Sequence, residues 1–278
     1  VFRKEQGLRA DGPLPSGAAR SRTRRMFEIA TELALILILA ALVAGFVDAI
    51  AGGGGLVTVP VLLLCGANPV EALATNKLQG TFGAATAALS YARAGHVRLS
   101  AQLPMAAVAA AAGAAGALVA HLIPVEVLRV VMPVVLIAVA AFFALRRGLT
   151  DADRAERMPP AVFAVTAVPA IAAYDGFFGP GTGSFFMIAF VALAGFGVLK
   201  ATAHTKLLNF ASNLGSLGIF AFSGATWWVV GLAMAAAQVA GAALGARVAM
   251  RVGARVIRPL LVVTSTAMAL RLIWQAMG

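Results

Sequence analysis

Long apolar segments leave this chain only one kind of surroundings. Several exceed the ~18 apolar residues that suggest a membrane span, beginning with "MFEIATELALILILAALVAGF" at residues 26–46. Of 278 residues, 61% are hydrophobic and 12% are charged, against roughly 25% charged in a soluble domain. Mean hydropathy is +0.91. No soluble core absorbs that much apolar surface. The expected fold is an all-α polytopic membrane protein that meets the lipid bilayer.

The chain also repeats itself. A shift of 129 residues, without gaps, places Gly52 on Gly181 and Gly54 on Gly183. It places Ala72, Ala74, Lys77 and Leu78 on Ala201, Ala203, Lys206 and Leu207. Gly95, Met105, Gly116 and Arg129 meet Gly224, Met234, Gly245 and Arg258. Alanine matches are cheap here, but only three lysines follow Met26 and two of them coincide. The expected organisation is an irregular, disordered N-terminal extension (1–25), a first transmembrane repeat (26–147), a cytoplasmic linker (148–159) and a second repeat (160–278). Residues 1–25 hold seven of the Lys/Arg and two acids, with much Gly and Pro, a composition that disfavours a packed structure. They read either as an extension upstream of a natural start at Met26 or as a cytoplasmic basic arm.

Each repeat holds five apolar segments: about 27–47, 56–66, 70–92, 101–122 and 125–145, then 160–178, 183–196, 198–223, 227–250 and 256–275. The second of each set is short. Eleven to fourteen residues, at ~1.5 Å each, cross only part of the ~30 Å hydrocarbon core. Orientation follows from charge. Arg93 and Arg98, the arginines of the central linker, and Arg247 to Arg258 mark basic loops. The equivalent of the Arg93/Arg98 loop is "SGATWW", uncharged and carrying two tryptophans. With every basic loop cytoplasmic, the repeats are inverted and the chain crosses ten times. The alternative is eight crossings with two re-entrant segments and parallel repeats.

Two glycine-rich breaks interrupt this apolar sequence at equivalent places. One is "DAIAGGGGLVTVP" at 48–60, the other "DGFFGPGTGSFFMI" at 175–188. Irregular backbone is tolerated at membrane depth only inside protein or along a watery cavity. Paired breaks therefore mark the central site of a transporter. The N–H groups at Gly52, Gly53, Gly54 and Gly55, and at Gly181, Thr182 and Gly183, precede short helices whose positive dipole ends suit an anion. A purely structural reading is that these glycines let helices pack closely.

Lys77 and Lys206 each lie about two turns inside an apolar segment, where a charge costs at least ~2.5 kcal/mol. One explanation is snorkelling to the interface. The other is function. Thr202, Lys206, Asn209 and Asn213 share one helical face, with Thr205, Ser212 and Ser216 beside it. Thr75, Asn76 and Lys77 form the counterpart in the first repeat. Asp48 and Asp175 stand beside the breaks and suit a coupling proton, a helix cap or a structural bridge to Lys77 and Lys206. His204 titrates near neutrality in its unperturbed state. His96 and His121 read as interfacial, and Glu71 and Glu126 as helix-start residues.

Other chemistries fit poorly. The net charge of +11 lies in the N-terminal arm and the loops, with no basic face interleaved with aromatics, so nucleic acid is not an expected partner. The lone Cys65 allows neither an intrachain disulfide nor a thiolate metal site. No cofactor or metal is expected. The GxG pieces lack a preceding strand and a βαβ unit, and HExxH, GxSxG and Walker A motifs are missing. With no nucleophile–base–orienter set, an enzyme is the weaker reading. A non-transporting scaffold leaves the intramembrane lysines unexplained.

"GFVDAIAGGGGLVTVPVLL", "ALATNKLQGTFGA" and "YDGFFGPGTGSFF…ATAHTKLLNFASNLGSL" resemble the sulfite exporter TauE/SafE family of bacterial membrane transporters, in its YfcA-like branch. The resemblance runs from about residue 30 to the C-terminus. It implies a multi-pass inner-membrane protein moving a small sulfur-containing anion such as sulfite, sulfoacetate or another organosulfonate. A homodimer is compatible with it. The second break reads "GPGTG" where the family repeats a glycine-rich motif, which sets the two halves apart.

Overall fold

The computed structural model describes residues 16–128, 130, 131, 134, 135, 137, 138, 152, 153 and 155–253, with only the backbone for 16–31. The described residues are helical and connected by turns and short loops. The helices are α1 (Ser16–Ala51), α2 (Gly54–Leu64), α3 (Pro69–Arg93), α4 (Leu99–Leu122), α5 (Pro160–Val165), α6 (Ala167–Phe177), α7 (Thr182–Ala192), α8 (Val198–Phe220) and α9 (Trp228–Val252). Two compact units, residues 1–36 and 37–278, divide inside α1. α1 begins at Ser16, within the stretch expected to be irregular. The run "SGAARSRTRR" contains no proline and one glycine, so it can extend a helix that already exists at low nucleation cost.

Four stretches are long and apolar enough to cross a membrane: Glu32–Ala51, Leu99–Leu122, Pro160–Phe177 and Trp228–Val252. The expected segment 256–275 lies outside the described residues, as does most of 125–145. α2 and α7 have 11 residues each, about 16 Å of helix, roughly half the hydrocarbon thickness. The two short segments are therefore short helices entered through the glycine breaks.

Burial divides the long helices by composition. α4 and α9 expose Leu103, Leu118, Leu232 and Leu244, as lipid-facing helices do. α3 and α8 are more polar, and a set of their polar residues is buried: Thr75, Asn76, Lys77 and Gln79 on α3, and Thr202, Thr205, Lys206, Asn209, Ser212, Asn213 and Ser216 on α8. α3 packs against α8 and α9, and α8 packs against α4. A central α3/α8 pair is thus flanked by more apolar helices.

The packing is reciprocal between the repeats. A Cβ on Gly116 of α4 would overlap Ala173 of α6, and one on its equivalent, Gly245 of α9, would overlap Phe46 of α1. The fourth segment of each repeat therefore lies against the first segment of the other. Small residues allow the backbones to approach that closely. The chain does not fold as two independent halves.

Local caps fix the entries of the central helices. Asn68 Oδ1 accepts from Val70 N and Glu71 N at 3.0 Å each, while Glu71 Oε2 accepts from Asn68 N at 2.8 Å. This is a capping box, which gives Glu71 its expected helix-start role. α8 uses a distant residue instead. Gly197 N donates to Asp153 Oδ1 at 2.6 Å, and Lys200 Nζ donates to Asp153 Oδ2 at 2.9 Å. These contacts, the backbone N–H first, hold the Asp153 carboxyl below the usual carboxylate range.

Candidate functional site

The two glycine breaks meet. Gly52 has φ +79°, and a Cβ there would overlap the backbone of Gly183 and Ser184. Ser184 N donates to the Gly52 carbonyl at 2.8 Å. Ser184 Oγ lies 2.7 Å from the carbonyl oxygens of Ala51 and Gly52. The N-termini of α2 and α7 are thereby stapled together, backbone to backbone.

A cavity of about 20 Å³ lies at this junction. From the first break it is lined by Gly52, Gly54 and Gly55, and from the second by Gly179, Gly181, Thr182 and Gly183. Asn76, Asn209, Asn213, Asp48 and Asp175 complete the expected part of the wall. Gly80 and Gln238 join it unexpectedly. About 10–15 Å³ is needed to hold one water molecule, so an oxyanion enters only if the breaks part.

Each lysine reaches across to the other repeat. Lys77 Nζ lies 2.7 Å from Asp175 Oδ1, with side-chain exposures of 0% and 2%. Asp175 Oδ2 accepts from Ser212 Oγ at 2.5 Å. Lys206 Nζ lies 3.7 Å from Asp48 Oδ2, with exposures of 1% and 13%, and donates to the Asp48 carbonyl. Asp48 Oδ1 accepts from Gly54 N at 3.2 Å, so this carboxylate caps α2. The first pair is tight and fully enclosed. The second is looser and more open.

The expected residues separate into three groups. The break glycines other than Gly53, with Thr182, the two aspartates and the three asparagines, converge on the cavity. Lys77 and Lys206 stand behind the aspartates instead of lining it. Neither snorkels, because both are fully buried. Thr75, Thr205, Gly53 and His204 are not among the lining residues. Thr75 Oγ1 accepts from Trp227 N at 3.1 Å, Thr205 Oγ1 is buried without a partner, and His204 packs on Phe190 and Phe196.

The Asn76 amide is turned to donate. Thr58 Oγ1 and Gln79 Nε2 approach Asn76 Oδ1 at 2.7 and 3.4 Å. Its carbonyl is therefore occupied, which leaves the NH₂ group as its free polar end. Gln238 is 2% exposed and its Oε1 has no partner. A single amide inside the apolar run "MAAAQVAG" was the signal available for it. Among the described residues no group of His, Cys, Asp or Glu could hold a metal ion.

Comparison with known proteins agrees with this architecture. Residues 37–272 match the sulfite exporter TauE/SafE family. The "Probable membrane transporter protein ORF9" of Sinorhizobium sp is 54% identical over 248 residues, covering 89% of this chain and 95% of the relative. The "Probable membrane transporter protein YfcA" of Escherichia coli K12 is 40% identical over 253 residues, covering 91% and 94%. A "Probable membrane transporter protein" of Haemophilus influenzae is 40% identical over 247 residues, covering 89% and 97%. No solved structure matches the chain. Paired breaks, cross-repeat ion pairs and this degree of identity lead to one conclusion: the chain is a membrane transporter of the sulfite exporter TauE/SafE family.

Proposed function

We propose that this transporter moves a small sulfur-containing anion, such as sulfite or an organosulfonate, across the bacterial inner membrane through a site between the two glycine breaks. The observation that carries the reading is the junction itself. Two short-helix N-termini, one from each repeat, face one cavity, and two lysines lie immediately behind it. Backbone N–H groups at helix N-termini and amide NH₂ groups are anion ligands.

The aspartates give the site its control. Asp48 occupies the Gly54 N–H and faces Lys206, the same groups that a bound anion would use. Protonating Asp48 weakens both contacts and releases them to the substrate. Anion and proton then bind together and are carried together, so a proton gradient drives the anion in the direction in which protons flow. In this reading the Lys77–Asp175 pair holds the second break, and the Lys206–Asp48 pair is the exchangeable one. Inverted repeats would let the two flanking layers rock about the central α3/α8 pair, opening the cavity alternately to each side.

A second reading has its own support, because both lysines already have carboxylate partners. The bridges would then be structural only. Transport by proteoliposomes separates the two. The proposal predicts saturable, proton-dependent flux of sulfite or a short sulfonate that exceeds flux of a carboxylate of similar size. Equal flux for every anion, unaffected by a pH gradient, counts against it.

A further inference from the structure

Gln238 is a polar residue for which the packing of α9 gives no reason. It is 2% exposed and lines the central cavity. Glycines on two other helices make room for it. A Cβ on Gly83 of α3 would fall 2.8 Å from its Cγ, 3.0 Å from its Cδ and 3.2 Å from its Nε2. A Cβ on Gly45 of α1 would fall 2.4 Å from its carbonyl oxygen and 2.8 Å from its Cγ. The side chain therefore occupies a slot that these two glycines open. Gly80, one turn before Gly83 on α3, also lines the cavity, so the slot leads there. Gln238 Oε1 is sealed in protein without a partner. Nε2, beside Gly83, has no acceptor among the described residues and is the polar end left for the cavity.

Packing alone is better served by another residue. An unpaired buried carbonyl costs about 1–3 kcal/mol, and a methionine fills such a slot without that cost. The repeat shows that the fold does not require the amide. The 129-residue shift places Ala109 where Gln238 stands and Ser212 where Gly83 stands. Ala109 is fully buried, and Ser212 Oγ is bonded to Asp175. One repeat uses the α8 position to fasten a carboxylate. The other clears its α3 equivalent for an amide.

The cavity thus takes amides from three helices: Asn76 on α3, Asn209 on α8 and Gln238 on α9. Asn209 Oδ1 accepts from Asn213 Nδ2 at 3.2 Å, so Asn209, like Asn76, keeps its NH₂ group as the free end. No cationic side chain lines the cavity. Three neutral donors suit an acidic group with three oxygens, whereas a carboxylate has two.

We infer that Gln238 is a specificity-determining residue of the central site. Once the breaks part, its Nε2 donates to the third oxygen of a sulfite or sulfonate group, and so favours that group over a carboxylate. The inference rests on the proposed function for the place where the anion binds.

The test is uptake of ethanesulfonate and of propanoate by proteoliposomes at equal reconstituted protein. The probes share an ethyl group and a single negative charge and differ in the number of acidic oxygens. Wild type should favour ethanesulfonate. Gln238→Met keeps the slot filled and removes the donor. It should raise the half-saturating ethanesulfonate concentration at least about tenfold and leave propanoate unchanged, without lowering the melting temperature. Where Gln238→Met inserts poorly, Gln238→Ala combined with Gly83→Ala decides, because the added methyl group partly refills the slot from α3. It too should lose the preference. A preference retained in either variant, or equal weakening of both probes, overturns the inference. No preference in wild type instead counts against the proposed function, so the two failures are distinct.

Discussion

At the scale of single residues, the two ion pairs differ in ways that make them separable. Asp175 is enclosed, bonded at 2.7 Å to Lys77 and at 2.5 Å to Ser212. Removing one partner of a buried pair leaves an uncompensated charge and costs about 3–5 kcal/mol. Asp175→Asn should therefore lower the melting temperature in detergent markedly. Asp48 is more open and 3.7 Å from its lysine, so Asp48→Asn should lower it less while altering the proton dependence of flux. Equal destabilisation by the two would contradict the division into a structural pair and an exchangeable pair. The lysines, the aspartates and their neighbourhood to the breaks were all legible in the sequence. That each lysine could bridge to Asp48 or Asp175 was legible too, but which partner each takes was not. Asp48 and Asp175 are 127 residues apart, whereas the lysines are 129 apart, so the repeat alignment does not bring the carboxylates together. Only the reciprocal packing of the repeats does.

At the scale of elements, the four glycines of the first break are not interchangeable. Gly52 has φ +79° and backs directly onto Gly183 and Ser184. An added methyl group meets backbone there and demands a left-handed conformation, which itself costs roughly 1–2 kcal/mol. Gly53 has φ −137°, and a Cβ would approach only a Leu56 methyl at 3.6 Å. Gly52→Ala should abolish transport and reduce membrane abundance, whereas Gly53→Ala should retain both. Loss of transport in Gly53→Ala at normal abundance would mean that the break is read incorrectly. The sequence presented the four glycines as one feature, because composition does not distinguish a glycine needed for its φ and its closeness from one that is merely adjacent. The short helices after the breaks were legible from their length. The division of Pro160–Phe177 at Thr166 into α5 and α6 was not, since no glycine stands at the joint.

At the scale of the whole molecule, the account needs the repeats to run in opposite directions through the bilayer. The charge pattern of equivalent loops motivates this, and the exchange of packing partners between repeats suits it. A direct check uses the single native cysteine. In a Cys65→Ser background, one new cysteine at Ser100 and, separately, one at Ser223 should be labelled by an impermeant maleimide from opposite sides of the membrane. Labelling of both from the same side would favour parallel repeats and two re-entrant segments. The all-helical membrane class was legible from hydropathy. Which helices form the centre was also legible, since α3 and α8 are the long segments with polar faces. The amide of Gln238 was missed because one polar residue on an apolar helix reads equally well as a packing contact.

The central claim is that Lys206 and the glycine-break N–H groups hold an anion that competes with the Asp48 carboxylate. The most direct measurement is sulfite flux in proteoliposomes containing wild type, Lys206→Gln, or Lys206→Gln combined with Asp48→Asn, at equal reconstituted protein. The account predicts that Lys206→Gln weakens substrate binding by about 1.5–3 kcal/mol, the range for a hydrogen bond to a charged group. It predicts that the double variant, with its charge balance restored, folds normally yet remains without transport. Full sulfite flux in the double variant would show that the pair is only a structural bridge, and would contradict the account.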